Sequence, residues 1–116
     1  MNATFVKALF DSVVEDNLQL YRDHLNTTEV TFKTDYYWKE TLDLYQSLSI
    51  ENQSVFLKIL EQTMIDTVST MLGVIDGSTT LKDCSLESKL LLDAIDTKGE
   101  LQDLFLELIE ERDRRR

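Results

Sequence analysis

Proline is missing from this chain, and cysteine and histidine occur once each in 116 residues. Each shortage excludes something. A soluble chain of this length ordinarily holds about six prolines, so their absence favours long uninterrupted helices over rigid turns. Cys84 stands alone and cannot form an intramolecular disulfide. One cysteine and one histidine, His24, cannot fill a four-ligand zinc cage. The Glu-x-x-His motif of di-iron bundles, the Gly-x-Ser-x-Gly elbow of hydrolases and the glycine-rich phosphate loops are all absent. No run reaches the roughly 18 apolar residues of a membrane span. Met1 to Val14, with Lys7 its only cationic side chain and Asp11 inside its apolar stretch, is a poor secretory signal. These absences together predict a reducing, cytoplasmic setting, with no membrane partner.

Positive charge is also scarce, at 12 basic residues against 22 acidic ones. Four of the cations, Arg112, Arg114, Arg115 and Arg116, sit in the last five positions. Residues 1–111 therefore hold 8 basic and 21 acidic side chains, a net charge of −13. Such a body is repelled by phosphate backbones, which disfavours nucleic acid as a partner. With 42% hydrophobic and 9% aromatic residues the chain nonetheless has the material for a core. Its length predicts one domain over residues 1–116.

Apolar spacing predicts four helices. In the first, about Thr4 to Leu25, the stripe is Val6, Phe10, Val13, Asn17, Leu20 and Tyr21, widened by Phe5, Leu9 and Val14. Asn2 or Thr4 is its expected cap. A polar connection, Asn26 to Thr34, follows. The second helix begins near Asp35, whose carboxylate suits an N-cap, and its stripe is Trp38, Leu42, Tyr45 and Leu48. Ser49 caps a third helix running to about Leu72, with Gly73 in the C-cap position. Phe56, Ile59, Leu60, Met64, Val68, Met71 and Leu72, extended by Val55, Leu57 and Ile65, give that helix a broad apolar face. Breadth of this kind predicts a central helix touching several neighbours. In the fourth, Thr97 and Glu100 form a capping box, and Leu101, Leu104, Phe105, Leu108 and Ile109 make the buried stripe. Glu110–Arg114 and Glu111–Arg115 are supportive four-residue pairs, and the last arginines complement the helix C-terminus.

Residues 74–99 fit two patterns. Cys84, Leu86, Leu90, Leu92 and Ala94 alternate with polar neighbours, as in a strand, whereas Leu86, Leu90, Leu91 and Ile95 satisfy helical spacing. The glycine-marked breaks on either side tip the reading to a short hairpin near residues 81–95. The predicted fold is thus mainly α, with about four amphipathic helices around one core and that hairpin attached. A helical 81–95 would make it an all-α bundle.

Candidate chemistry is thin. His24 and Cys84 could form a nucleophile–base pair, but no third group or cysteine signature accompanies them, and a helix-terminal histidine meeting the dipole is the simpler reading. Asp76, Ser78, Thr80 and Glu87 occupy calcium-loop positions 1, 3, 5 and 12. Leu81 stands where that loop demands glycine, so a solvated turn is expected. No catalytic residue, cofactor or metal is assigned, and the chain is read as a non-enzyme. Two features do point to partners. The acidic row Glu100, Asp103, Glu107 and Glu110 can steer a basic protein, and the aromatic cluster Tyr36, Tyr37 and Trp38 has the composition of interface centres. The expected function is an acidic protein-binding module, of the kind that inhibits or neutralises a basic partner. The alternative is a helical homodimer serving as a structural or adaptor protein.

Overall fold

Val6, Phe10, Val14, Leu18 and Leu25 form the buried side of the N-terminal rod of the molecule, a computed structural model that describes residues 1–116. Three segments make the rod: α1 (Asn2–Leu9), a π-helical stretch (Phe10–Glu15) and α2 (Asp16–Thr27). The π turn explains which residues point inward. Each four-residue step overshoots an α-helical turn by about 40°, so Val6, Phe10, Val14 and Leu18 would wander around an ideal helix. The wider i→i+5 turn takes back that drift. Val14 and Leu18 are therefore buried, while Val13 is 36% and Leu20 66% exposed and Asn17 faces solvent. The expected stripe through Val13, Asn17 and Leu20 is corrected by this local widening. Asn17 instead donates to the Val13 carbonyl at 2.8 Å. Neither Asn2 nor Thr4 caps the start; the N-cap position is Met1, without a side-chain bond.

Helix α3 (Tyr36–Ser47) begins at Asp35 and α4 (Ile50–Asp76) at Ser49, as the sequence predicts. Asp35 accepts from the Trp38 N–H at 3.0 Å, and Ser49 accepts from the Asn52 N–H at 3.1 Å. The end of α4 differs from expectation. The helix runs through Gly73, and Gly77 takes the left-handed C-cap position with φ 84°. Gly73 makes room for two side chains: a Cβ on it would run into the Thr79 hydroxyl and sit 2.7 Å from Gln102 Nε2, so both would have to shift to admit one.

After α4 come a loop and a small antiparallel hairpin, β1 (Leu91–Leu92) with β2 (Ile95–Asp96). Its turn residues Asp93 and Ala94 both have positive φ, 48° and 67°, the twist that two-residue hairpins require. The mainly helical fold with a hairpin is thus as predicted. The hairpin occupies the C-terminal end of the expected segment, and Leu86, which the alternation would turn inward, is 86% exposed.

The last helix, α5 (Leu101–Arg114), is capped across the fold and not by its own sequence. Both Asp76 carboxylate oxygens accept from it, at 3.2 Å from the Leu101 N–H and 2.7 Å from the Gln102 N–H. The predicted capping box does not form, because Thr97 is buried and its Oγ1 donates to the Leu90 carbonyl. A carboxylate from the end of a neighbouring helix displaced the local hydroxyl.

Long-range contacts set the layout. Asn2 Nδ2 donates to Thr97 O and Glu100 Oε2 at one end of α5, Phe10 packs on Phe105, and Arg112 reaches Glu15. The rod and α5 therefore run parallel. Gln102 bonds Ser69 while Arg112 meets Glu61, so α4 runs antiparallel to α5. The rod and α4 form a long antiparallel pair, closed at one end by α5 and at the other by α3. The core divides accordingly. Val6, Phe10, Val14, Ile65, Leu72, Leu101, Phe105 and Ile109 make the cluster at the α5 end. Leu25, Leu42 and Tyr45 make the one at the α3 end. α4 is less enclosed than its broad apolar face predicts, because Val55, Ile59 and Met71 are each at least half exposed. No helix is long and apolar enough to cross a membrane.

Candidate functional site

The first turn of α3 is Tyr36-Tyr37-Trp38, held in register by Asp35. A helix places successive residues about 100° apart, so the three rings cannot share one direction. Trp38 turns inward, 5.8 Å from the Tyr21 ring and 4.1 Å from the His24 imidazole. Tyr37 meets it edge-on at 5.5 Å and stays 60% exposed, and Tyr36 is 76% exposed. Burial, reinforced by the charge and hydrogen bonding of Tyr37, holds the Tyr21 phenol above its ordinary pKa. Phe32, in the loop before α3, is 95% exposed. The stretch of chain that carries this edge also holds five exposed carboxylates, Asp23, Glu29, Asp35, Glu40 and Asp43, and three exposed cations, Arg22, Lys33 and Lys39. Below it, Tyr45 donates to Asn26 Oδ1 at 3.2 Å and its carbonyl accepts from Gln53 Nε2 at 3.0 Å. Those bonds pin α3 to both long helices.

The acidic row lies elsewhere. Glu100, Asp103, Glu107 and Glu110 are all exposed on α5, at the other end of the molecule. Glu100 is tied to Asn2, and Glu110 is 3.9 Å from Arg114. The seven residues singled out in the sequence thus form two separate surfaces, an aromatic edge on α3 and a carboxylate face on α5. Trp38 belongs to the first as its support rather than as a free contact.

Sequence reasoning missed the role of Arg112. It is one of four arginines that look like a loose tail, yet its side chain is only 18% exposed. It meets Glu61 at 3.2 Å and Asp113 at 2.9 Å, lies 3.9 Å from Glu15, and stacks its guanidinium 5.4 Å from the centre of the Phe10 ring. The partners come from three elements, and nothing local in the sequence announces them.

The residues weighed for chemistry have other employment. His24 stacks on Trp38 beside α3, whereas Cys84 lines a shallow pocket of about 380 Å3 with Val74, Leu81 and Leu86 beyond the far end of α4. A helix of 27 residues, about 40 Å long, separates the two neighbourhoods. In the calcium-like sequence, Asp76 is engaged by the α5 N–H groups and the Ser78 hydroxyl lies 3.2 Å from both Gly73 O and Gln102 Oε1. That segment is a joint between helices. Nowhere do three or more His, Cys, Asp or Glu side chains converge where they could hold a metal ion. Comparison with family models, with curated proteins and with solved structures gives no match for the chain.

Proposed function

We propose that the chain is a non-enzymatic, acidic protein-binding module whose anchor is the aromatic edge of α3, and that its partner is a basic protein. The observation that carries the reading is the exposure of Tyr36 and Tyr37, at 76% and 60%, on a capped helix pinned by Tyr45. Large exposed rings on a fixed helix are good anchors, since a tyrosine has only two side-chain torsions to immobilise on binding. The net charge of −10, with five exposed carboxylates against three cations in the same stretch of chain, favours encounter with a positive surface. The carboxylate face of α5 adds to the long-range field without contacting the same patch. Inhibition or neutralisation of the basic protein is the role this chemistry fits.

The test is capture from the source lysate on immobilised protein, with a Tyr36→Ala/Tyr37→Ala variant in parallel and elution by a salt gradient. A basic protein retained by the wild type, released by moderate salt and lost with the variant supports the reading. Retention that ignores salt, or that survives loss of both tyrosines, overturns it.

A further inference from the structure

Between α2 and α4, beside the last turn of α3, lies a cleft of about 420 Å3, within the range of roughly 300–1,000 Å3 typical of small-molecule sites. Its floor is apolar, made by Leu18 and Tyr45, each 3% exposed, and by the half-buried Leu57. Its walls are cationic. Arg22 stands on the α2 side and Lys58 on the α4 side. Ser54 lies one helical turn before Lys58, where residues four apart are neighbours, and adds a hydroxyl to the same wall. The other charged residues of the lining, Glu61 and Arg116, pair with each other at 3.4 Å.

Two cations without counterions on one cleft are out of keeping with a chain of 22 acidic and 12 basic residues. Arg112, Arg114, Arg115 and Arg116 each meet a carboxylate at 3.9 Å or less. Arg22 meets none, and its guanidinium donates only to the neutral Gln19 Oε1, at 3.0 Å. The carboxylates nearest in sequence to the two cations are engaged elsewhere. Asp23, beside Arg22, accepts from Gln19 at 2.8 Å, and Glu61, three residues after Lys58, holds Arg112 at 3.2 Å. The positive charge of Arg22 and Lys58 is therefore left facing the cleft.

We propose that this cleft binds a small phosphate monoester with an apolar or aromatic body, the phosphate between Arg22 and Lys58 and the body on Leu18, Leu57 and Tyr45. Charge selects the head group. A phosphate monoester carries about −1.5 to −2 at pH 7, which matches the two unpaired cations, whereas a carboxylate leaves one of them uncompensated. The planar fork of arginine suits paired phosphate oxygens, and lysine acts as a point charge beside it. The acidic remainder of the molecule opposes anions, but its field is screened beyond about 8 Å at physiological salt. The cleft lies at the other end of α3 from Tyr36 and Tyr37, and the proposal does not depend on the basic partner.

Titration of the purified chain with phenyl phosphate, followed through its amide NMR signals, tests the proposal. One molecule should bind per chain with a Kd of about 1 mM or tighter, moving the signals around Arg22, Ser54 and Lys58 and leaving those at the start of α5 in place. Benzoate, with a single charge, and inorganic phosphate, without the ring, should each bind more weakly. Arg22→Gln and Lys58→Gln should each weaken phenyl phosphate by about tenfold or more. Both side chains are exposed, so both variants keep the fold, which circular dichroism verifies. Absence of binding, signals that move away from the cleft, or an affinity indifferent to both substitutions overturns the proposal. Benzoate or inorganic phosphate binding as tightly as phenyl phosphate overturns the ligand class.

Discussion

The two ends of the long helix pair are closed to different degrees. At the α5 end eight buried residues from the rod, α4 and α5 form one cluster, with Phe105 and Leu101 wholly inaccessible. At the α3 end the cluster has three, and Leu20, Phe32, Tyr36, Tyr37, Leu44 and Ile50 stand exposed around it. The manner of closure differs as well. α5 is held by bonds that reach far along the chain, from Asp76, Ser69, Asn2 and Glu61. α3 is started by its neighbour Asp35 and held by Tyr45 through Asn26 and Gln53. The α5 end thus has the character of a finished core. The other end positions its aromatic rings but covers few of them.

The largest expected effect on this contrast comes from truncating each core. Phe105→Ala should cost about 3–5 kcal/mol of stability, because the cavity is enclosed on every side. Leu42→Ala should cost nearer 2 kcal/mol, the low end for such changes, because the thinner cluster can collapse around the gap. Urea denaturation of both variants measures the difference, and equal losses would mean that the two cores are equally tight.

A smaller effect separates the caps. Asp76→Ala removes the acceptor for two α5 N–H groups and should cost about 1–2 kcal/mol, while Ser49→Ala, a one-bond cap, should cost about 1 kcal/mol. Thermal melts of the two variants read this directly. Asp76→Asn, which keeps an acceptor oxygen, should recover part of the loss.

The smallest effect is alkaline. The folded state holds the Tyr21 phenol above its usual value, first through burial and then through Tyr37. A raised folded value means that the contribution is fully present below about pH 10, the ordinary tyrosine value, and is lost as pH rises through the folded one. Tyr37→Phe should weaken that alkaline loss, and a pH series of denaturation midpoints for the variant and wild type would show it.

Legibility in the sequence followed the reach of each interaction. Asp35 and Ser49 cap helices that begin beside them, and both were readable. The Glu111–Arg115 pair, four residues apart, was readable for the same reason. Thr97 misled because its own neighbourhood suits a capping box while the competing carboxylate, Asp76, is more than twenty positions upstream. The π turn was hidden because Val13 and Val14 are equally apolar and only packing chooses between them. Arg112 was hidden because its partners Glu15 and Glu61 are far away in sequence. Of the candidate surface, the aromatic cluster was visible by composition. Trp38 stands on the apolar stripe with Leu42 and Tyr45, so its inward turn was legible as well; that Tyr21 and His24 would receive it was not.

Native-state hydrogen exchange of the wild-type chain tests the inequality of the two ends most directly. Amides in α5 and in the C-terminal half of α4 should exchange only through global unfolding. Those of α3 should open at a free energy lower by about 2 kcal/mol or more, as a separate cooperative unit. Equal protection of α3 and α5 would contradict the account, because the end that carries the exposed tyrosines would then be as firmly closed as the other.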